Sequence, residues 1–149
     1  MDAVDRKILN CLRENARMNA SVIGERVSMS VSAVIERIRK LEASGVIRQY
    51  TVVLNPKRIG KDICAFILVS FEHPRYNDSF IESVASLAQI TECHYITGDF
   101  DFMLKVMTGT TEELTGIINS IKCMKGVSST RTLVVLSTTK NELSPLPDA

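Results

Sequence analysis

Residues 18–45 read MNASVIGERVSMSVSAVIERIRKLEASG, and their reading decides the first half of the fold. Asn19 suits an N-cap, and Met18 before it is placed to pack on Ile23 as a hydrophobic staple. A short helix over residues 20–27 follows. Ser30 is a second N-cap, with Met29 and Val34 placed for a second staple. The helix it opens runs to Ser44 and stops at Gly45, a natural C′ residue. Two helices this close read as a helix-turn-helix unit. Ser28 lies in the turn, where glycine is favoured because the bend often needs φ > 0; serine there costs about 1 kcal/mol.

Working upstream, Val4, Ile8, Cys11 and Leu12 form one apolar stripe of a first helix over residues 4–15, which ENARMN (14–19) breaks. In the third helix, Val31, Val34, Ile35, Ile38 and Leu41 fall on one face and are expected in the core. Ser32, Ala33, Glu36, Arg37, Arg39 and Lys40 fall on the other. A helix that enters a major groove needs small or polar groups near its start, and Ser32, Ala33 and Arg37 meet that need. Arg39, Lys40 and the helix end at Ser30 suit phosphates. Glu36 would repel phosphates, so an ion pair with Arg39 or Lys40 is expected. The bland alternative is an ordinary solvated helix face.

Charge favours the first reading. Residues 1–61 carry 12 Lys and Arg against 6 Asp and Glu, whereas residues 62–149 carry 6 against 11. A basic half joined to an acidic half points to a polyanion at the first half only. VIRQYTVVLNP (46–56) is expected as an extended connector, with Arg48 near the DNA-facing side and Asn55-Pro56 as a boundary. The expected organisation is a helix-turn-helix domain over 1–50, a connector strand or hinge over 51–61, and a second domain over 62–149.

The second half alternates differently. ICAFILVSFE (63–72) reads as an apolar strand, and NDSFIESVASLA (77–88) has Phe80, Ile81, Val84, Leu87 and Ala88 at helical spacing. TECHYIT and FMLKVMT read as strands, TTEELTGIINSIKCM as a helix with Leu114, Ile117, Ile118 and Ile121 inward, and VSSTRTLVVLSTT as a last strand. The order β-α-β-β-α-β is that of a ferredoxin-like sandwich, making the chain α+β with a winged-helix-like first domain. Both helices of such a sandwich cover one sheet face, yet residues 63–71 are apolar on both. A second copy of the chain is the simplest cover, and a homodimer would present two helix-turn-helix units to two half-sites.

With 149 residues, 45% of them hydrophobic, the chain is long enough for one domain or two small ones. No apolar run is long enough for a membrane helix, and the charged start is unlike a secretory signal. Cys11, Cys64, Cys93 and Cys123 are scattered, with no C-x-x-C pair, and His73 and His94 are the sole histidines. Free thiols in a reducing cytoplasm are expected, with no metal site and no cofactor.

GDFDF (98–102) crowds two carboxylates and two phenyl rings into a turn between two strands. A D-x-D pair with no evident nucleophile or base is a weak signal for catalysis or metal binding. Phe100 and Phe102 resemble the base-stacking aromatics of an RNA-binding βαββαβ domain, but aspartates surround them and the half is acidic. The plain reading is a hairpin tip with core phenylalanines. A glycine that leaves N–H groups open to a carboxylate, beside an aspartate for an ammonium, also suits a free amino acid.

Together, VDRKILNCLRENAR, ERVSMSVSAVIERIRKLEASGVIRQYTVVLNP, ITGDFDFMLKV and GVSSTRTLVVL resemble the Lrp/AsnC, or feast/famine, family of transcription regulators over nearly the whole chain. The resemblance implies DNA binding by the first domain, effector binding and oligomerisation by the second, and dimers often assembled into octamers. It implies no enzymatic activity. It places Gly98, Asp99, Phe100 and Asp101, with Ser128, Thr130 and Thr132 opposite, in a pocket for an amino acid or related metabolite. Thr130 and Thr132 also fit ordinary strand residues at period two. An architectural DNA-wrapping protein and an RNA-binding protein remain as other classes.

Overall fold

The computed structural model describes residues 1–145. It divides into two compact units, one of Met1–Val52 with the segment that begins at Lys140, the other Val53–Thr139.

The first unit holds α1 (Ala3–Glu14), α2 (Ala20–Val27) and α3 (Val31–Ala43). α1 opens with a capping box that periodicity alone does not disclose: Asp2 accepts from the backbone of Val4 and Asp5, and Asp5 accepts from the Asp2 N–H. Ile8, Cys11, Ile23, Val27, Val34 and Leu41 form the core, with Met18, Met29 and Ile38 packed against it. Asn19 occupies the N-cap position of α2 but makes no side-chain cap, contrary to expectation. Ser30 does cap α3, accepting from the Ala33 N–H at 3.3 Å. Ser28 is left-handed (φ 56°, ψ 49°) and is the sole non-glycine with positive φ among the described residues. Behind it Gly24 is tightly constrained, because a Cβ there would sit 2.6 Å from the Met29 carbonyl oxygen.

Two expectations fail here. Val31 and Ile35 are exposed rather than core, because the buried stripe of α3 is only as wide as Val34, Ile38 and Leu41. Residues 46–55 form no strand, and Val52, Val53 and Leu54 are largely exposed. A β-branched stretch needs a partner to become a strand, and none of the described residues supplies one.

The second unit is a four-stranded antiparallel sheet of order β2-β3-β1-β4, built from β1 (Ile63–Phe71), β2 (Ile90–Tyr95), β3 (Phe102–Thr108) and β4 (Val127–Val134). Helices α4 (Asn77–Ala85) and α5 (Thr111–Lys122) supply Phe80, Val84, Leu114, Ile117 and Ile121 to a core closed by Ala65, Ile67, Val69, Phe102, Leu104 and Val106. This is the ferredoxin-like order. α4 ends before Leu87 and Ala88, and Ile81 is exposed, so that helix is shorter than its apolar spacing suggested. On the other sheet face lie Phe66 and Leu68 of β1, Met103 and Lys105 of β3, and Leu133 of β4, partly or fully exposed. Lys105 is held there by Glu92 at 2.8 Å, and the lysine and His94 together keep the Glu92 carboxyl below its usual range.

Candidate functional site

In the first unit, the outward side of α3 carries Ser32, Glu36, Arg39 and Lys40, all exposed. The Ser30 and Ser32 hydroxyls lie 3.2 Å apart at the start of the helix. Glu36 pairs with Lys40 at 3.5 Å, one of the two partners expected for it. Arg39 makes no ion pair among the described residues. Arg48 is exposed in the segment after α3.

Arg37 is engaged within its own unit. Its Nη1 lies 2.7 Å from Asp2 Oδ2 and 2.7 Å from Asp5 Oδ1, so it turns toward the start of α1. The hydrogen bond from the Asp5 backbone, then the Arg37 guanidinium, hold the Asp2 carboxyl down to about 2. The same pair raises the Arg37 guanidinium further. Arg37, Ala33 and Lys40 line a groove of about 480 Å³ beside Met1 and Asp5. Sequence spacing put Arg37 on the polar face of α3; it could not show that the capping box of α1 lies within reach.

In the second unit, the GDFDF turn closes the β2–β3 hairpin. Gly98 has φ 110°, a region that favours glycine. The two aspartates do different work. Asp101 is structural: Oδ2 accepts from the Phe71 N–H at 2.8 Å, its N–H donates to Val69, and its carbonyl accepts from Ile96. Asp99 anchors only through its backbone, its carbonyl accepting from the Ser70 hydroxyl at 3.2 Å, and its residue is exposed. Phe102 is core, packed on Phe71, Phe80 and Tyr95. Phe100 instead carries the Arg131 guanidinium 5.3 Å above its ring.

Strand register divides the expected effector residues. Thr130 pairs with Val69 and Thr132 with Ile67, so both point to the helix-covered side of the edge strand β4. Arg131, paired with Leu68, points to the open face and meets Phe100 there. Ser128 is the extra residue at the bulge opposite Phe71 and is exposed. Within the chain, then, Gly98–Asp101 gathers with Arg131 and not with Thr130 and Thr132. Arg131 went unremarked in the sequence; its signal was a cation at the alternate position between two threonines. Among the described residues, no cluster of His, Cys, Asp or Glu has metal-binding geometry, and no helix is long and apolar enough to cross a membrane.

Residues 1–42 match the AsnC-type helix-turn-helix domain, and residues 64–145 match the Lrp/AsnC ligand binding domain. The HTH-type transcriptional regulator FL11 of Pyrococcus horikoshii is 34% identical over 147 residues, covering 99% of this chain and 96% of that protein. The leucine-responsive regulatory protein of Escherichia coli strain K12 is 32% identical over 143 residues, covering 94% and 87%. A transcriptional regulator of Neisseria meningitidis, solved in complex with L-methionine, superposes with a TM-score of 0.93 at 28% identity over 97% of this chain and 96% of that one. The first match falls in the first unit, and the second match covers the sheet and helices of the second unit, in the same order. The chain is therefore a helix-turn-helix transcriptional regulator rather than an enzyme, and it belongs to the Lrp/AsnC family.

Proposed function

We propose that the protein binds specific duplex sequences through α3 and that a free amino acid, bound in the second unit, sets that affinity. The carrying observation is the union in one chain of an AsnC-type helix-turn-helix domain and an Lrp/AsnC ligand binding domain. The charge division supports it, since only residues 1–61 are basic. The L-methionine in the Neisseria regulator supports an amino acid as effector.

On the DNA side we assign Ser30, Ser32, Ala33, Arg39, Lys40 and Arg48, and give Arg37 a structural role. On the effector side, the turn N–H groups after Gly98 and the guanidinium of Arg131 offer donors to a carboxylate, and Asp99 offers an acceptor to an ammonium. Phe100 provides an apolar wall. Ser128, Thr130 and Thr132 lie on the edge strand β4 and would join such a pocket only through the turn of a second copy. The partly exposed apolar face of Phe66, Leu68 and Leu133 favours a homodimer, and a further assembly of dimers would bring two pockets together. The protein acts in the cytoplasm, where its DNA and its thiols belong.

The test is anisotropy of the full chain on a duplex selected from a randomised pool, with and without each of the twenty amino acids, alongside thermal shift and sizing. At least one amino acid shifts affinity fivefold or more, the usual scale of such coupling. If none shifts either signal, the effector assignment fails. Equal affinity for the selected duplex and random DNA favours an architectural protein, and preference for RNA over duplex favours the third class.

A further inference from the structure

Val31 is 46% exposed and Ile35 39%, although both are β-branched apolar residues. They are one helical turn apart and share a flank of α3. At about 100° per residue, that flank lies between the core stripe of Val34, Ile38 and Leu41 and the outward line of Ser32 and Arg39. An apolar strip thus adjoins a hydroxyl and a guanidinium on the most exposed side of the helix. Both lie outside the buried core of their unit.

The proposed reading that α3 enters a major groove gives this strip a use, and the inference rests on it. The groove offers one apolar feature, the 5-methyl group of thymine. We propose that Val31 and Ile35 read thymine methyls and so set the sequence preference of the protein. The occupant is DNA by charge as well as shape: the unit is basic, and Ser30, Ser32 and Arg39 beside the strip suit phosphates and base edges. Arg37 lies on the opposite flank of α3, tied to Asp2 and Asp5.

The experiment uses the full chain and a duplex selected from a randomised pool. Each thymine in turn is replaced by uracil, which removes only the methyl. At one or two positions per half-site, affinity falls about fourfold per methyl, the worth of one buried methylene-sized group. Ile35→Ala removes the thymine–uracil difference at one position and Val31→Ala at the other, while both variants keep their affinity for random duplex. Circular dichroism confirms that these surface variants fold. Equal wild-type affinity for thymine and uracil duplexes overturns the proposal while leaving groove entry by α3 intact. Loss of preference for the selected duplex over random DNA in Ser32→Ala, Arg39→Ala and both apolar variants alike, with no uracil effect, would do the same. If the apolar variants instead change the size of the protein in solution and weaken all duplexes equally, the strip is an interface between copies, and the proposal falls.

Discussion

The Nη1 of Arg37 on α3 lies 2.7 Å from Asp2 at the N-cap of α1, and the same nitrogen reaches Asp5 at the same distance. One cation therefore closes the capping box of the first helix onto the third, and its positive charge is paired at the partly exposed surface. Arg37→Ala should lower the melting temperature of the first unit slightly, as expected for a solvent-screened pair. The ratio of affinities for a selected duplex and random DNA should not change. Thermal unfolding and anisotropy together check this; a selective loss on the selected duplex would return Arg37 to the base-reading set.

The hydrogen bond that Asp2 accepts from the Asp5 N–H, and after it the Arg37 guanidinium, give this corner a pH dependence. Asp2 titrates near 2 in the folded protein, below the ordinary aspartate value of about 3.9. A depressed carboxyl stabilises the fold above its unfolded value, and that contribution disappears as pH falls from about 4 through 2. Asp2→Asn keeps an oxygen for the cap and removes the charge. Denaturant titrations from pH 6 to pH 2 should show a shallower loss of stability for this variant. Parallel curves would mean that Asp2 is not linked to folding.

Two glycines in helices should respond oppositely to alanine. In α2, a Cβ on Gly24 would lie 2.6 Å from the Met29 carbonyl, which belongs to the turn's backbone and has little room to move. Gly24→Ala should destabilise the first unit by about 1–3 kcal/mol. In α5, Gly116 has open space where its Cβ would be, so Gly116→Ala should stabilise the second unit by up to about 1 kcal/mol. Urea unfolding of both variants checks the pair, and a stabilised Gly24→Ala would show that the turn relaxes.

These residues also mark what a sequence discloses. Periodicity disclosed the elements, because each helix and strand must bury one side: Ile8, Val34, Leu114, Ile117 and Ile121 all lie in the cores that spacing assigned. The left-handed Ser28 was legible from turn chemistry alone. Contacts across elements were not legible. Arg37 with Asp2, Asp101 with the Phe71 N–H, and Arg131 over Phe100 join residues about 30 or more positions apart, and local pattern holds no record of such distances. Val31 and Ile35 were misplaced: spacing put them in the core face, but the width of that face depends on how many neighbours close over the helix.

Arg39 is exposed on α3 with no ion pair among the described residues, so its charge is available for a phosphate. Arg39→Ala should weaken binding to selected and random duplex alike. The slope of log affinity against log salt should become shallower by about 0.9 for each phosphate that the guanidinium had neutralised. An unchanged slope with altered sequence preference would move Arg39 to the base edges.

Asp99 and Asp101 stand two residues apart and should part company on mutation. The Asp101 carboxylate answers the Phe71 N–H at 2.8 Å, so Asp101→Ala leaves a partly buried donor unpaired and should cost about 1–3 kcal/mol of stability in the second unit. The Asp99 carboxylate makes no hydrogen bond among the described residues, and the residue is exposed, so Asp99→Ala should unfold at the wild-type temperature. Its effect should appear only with an effector. With L-methionine as the first probe, followed by whichever amino acid shifts the wild type most, Asp99→Ala should bind duplex normally and show no response. A variant that still responds removes Asp99 from the ammonium site. A response abolished in Arg131→Ala but kept in Asp99→Ala would place the recognition on the carboxylate alone.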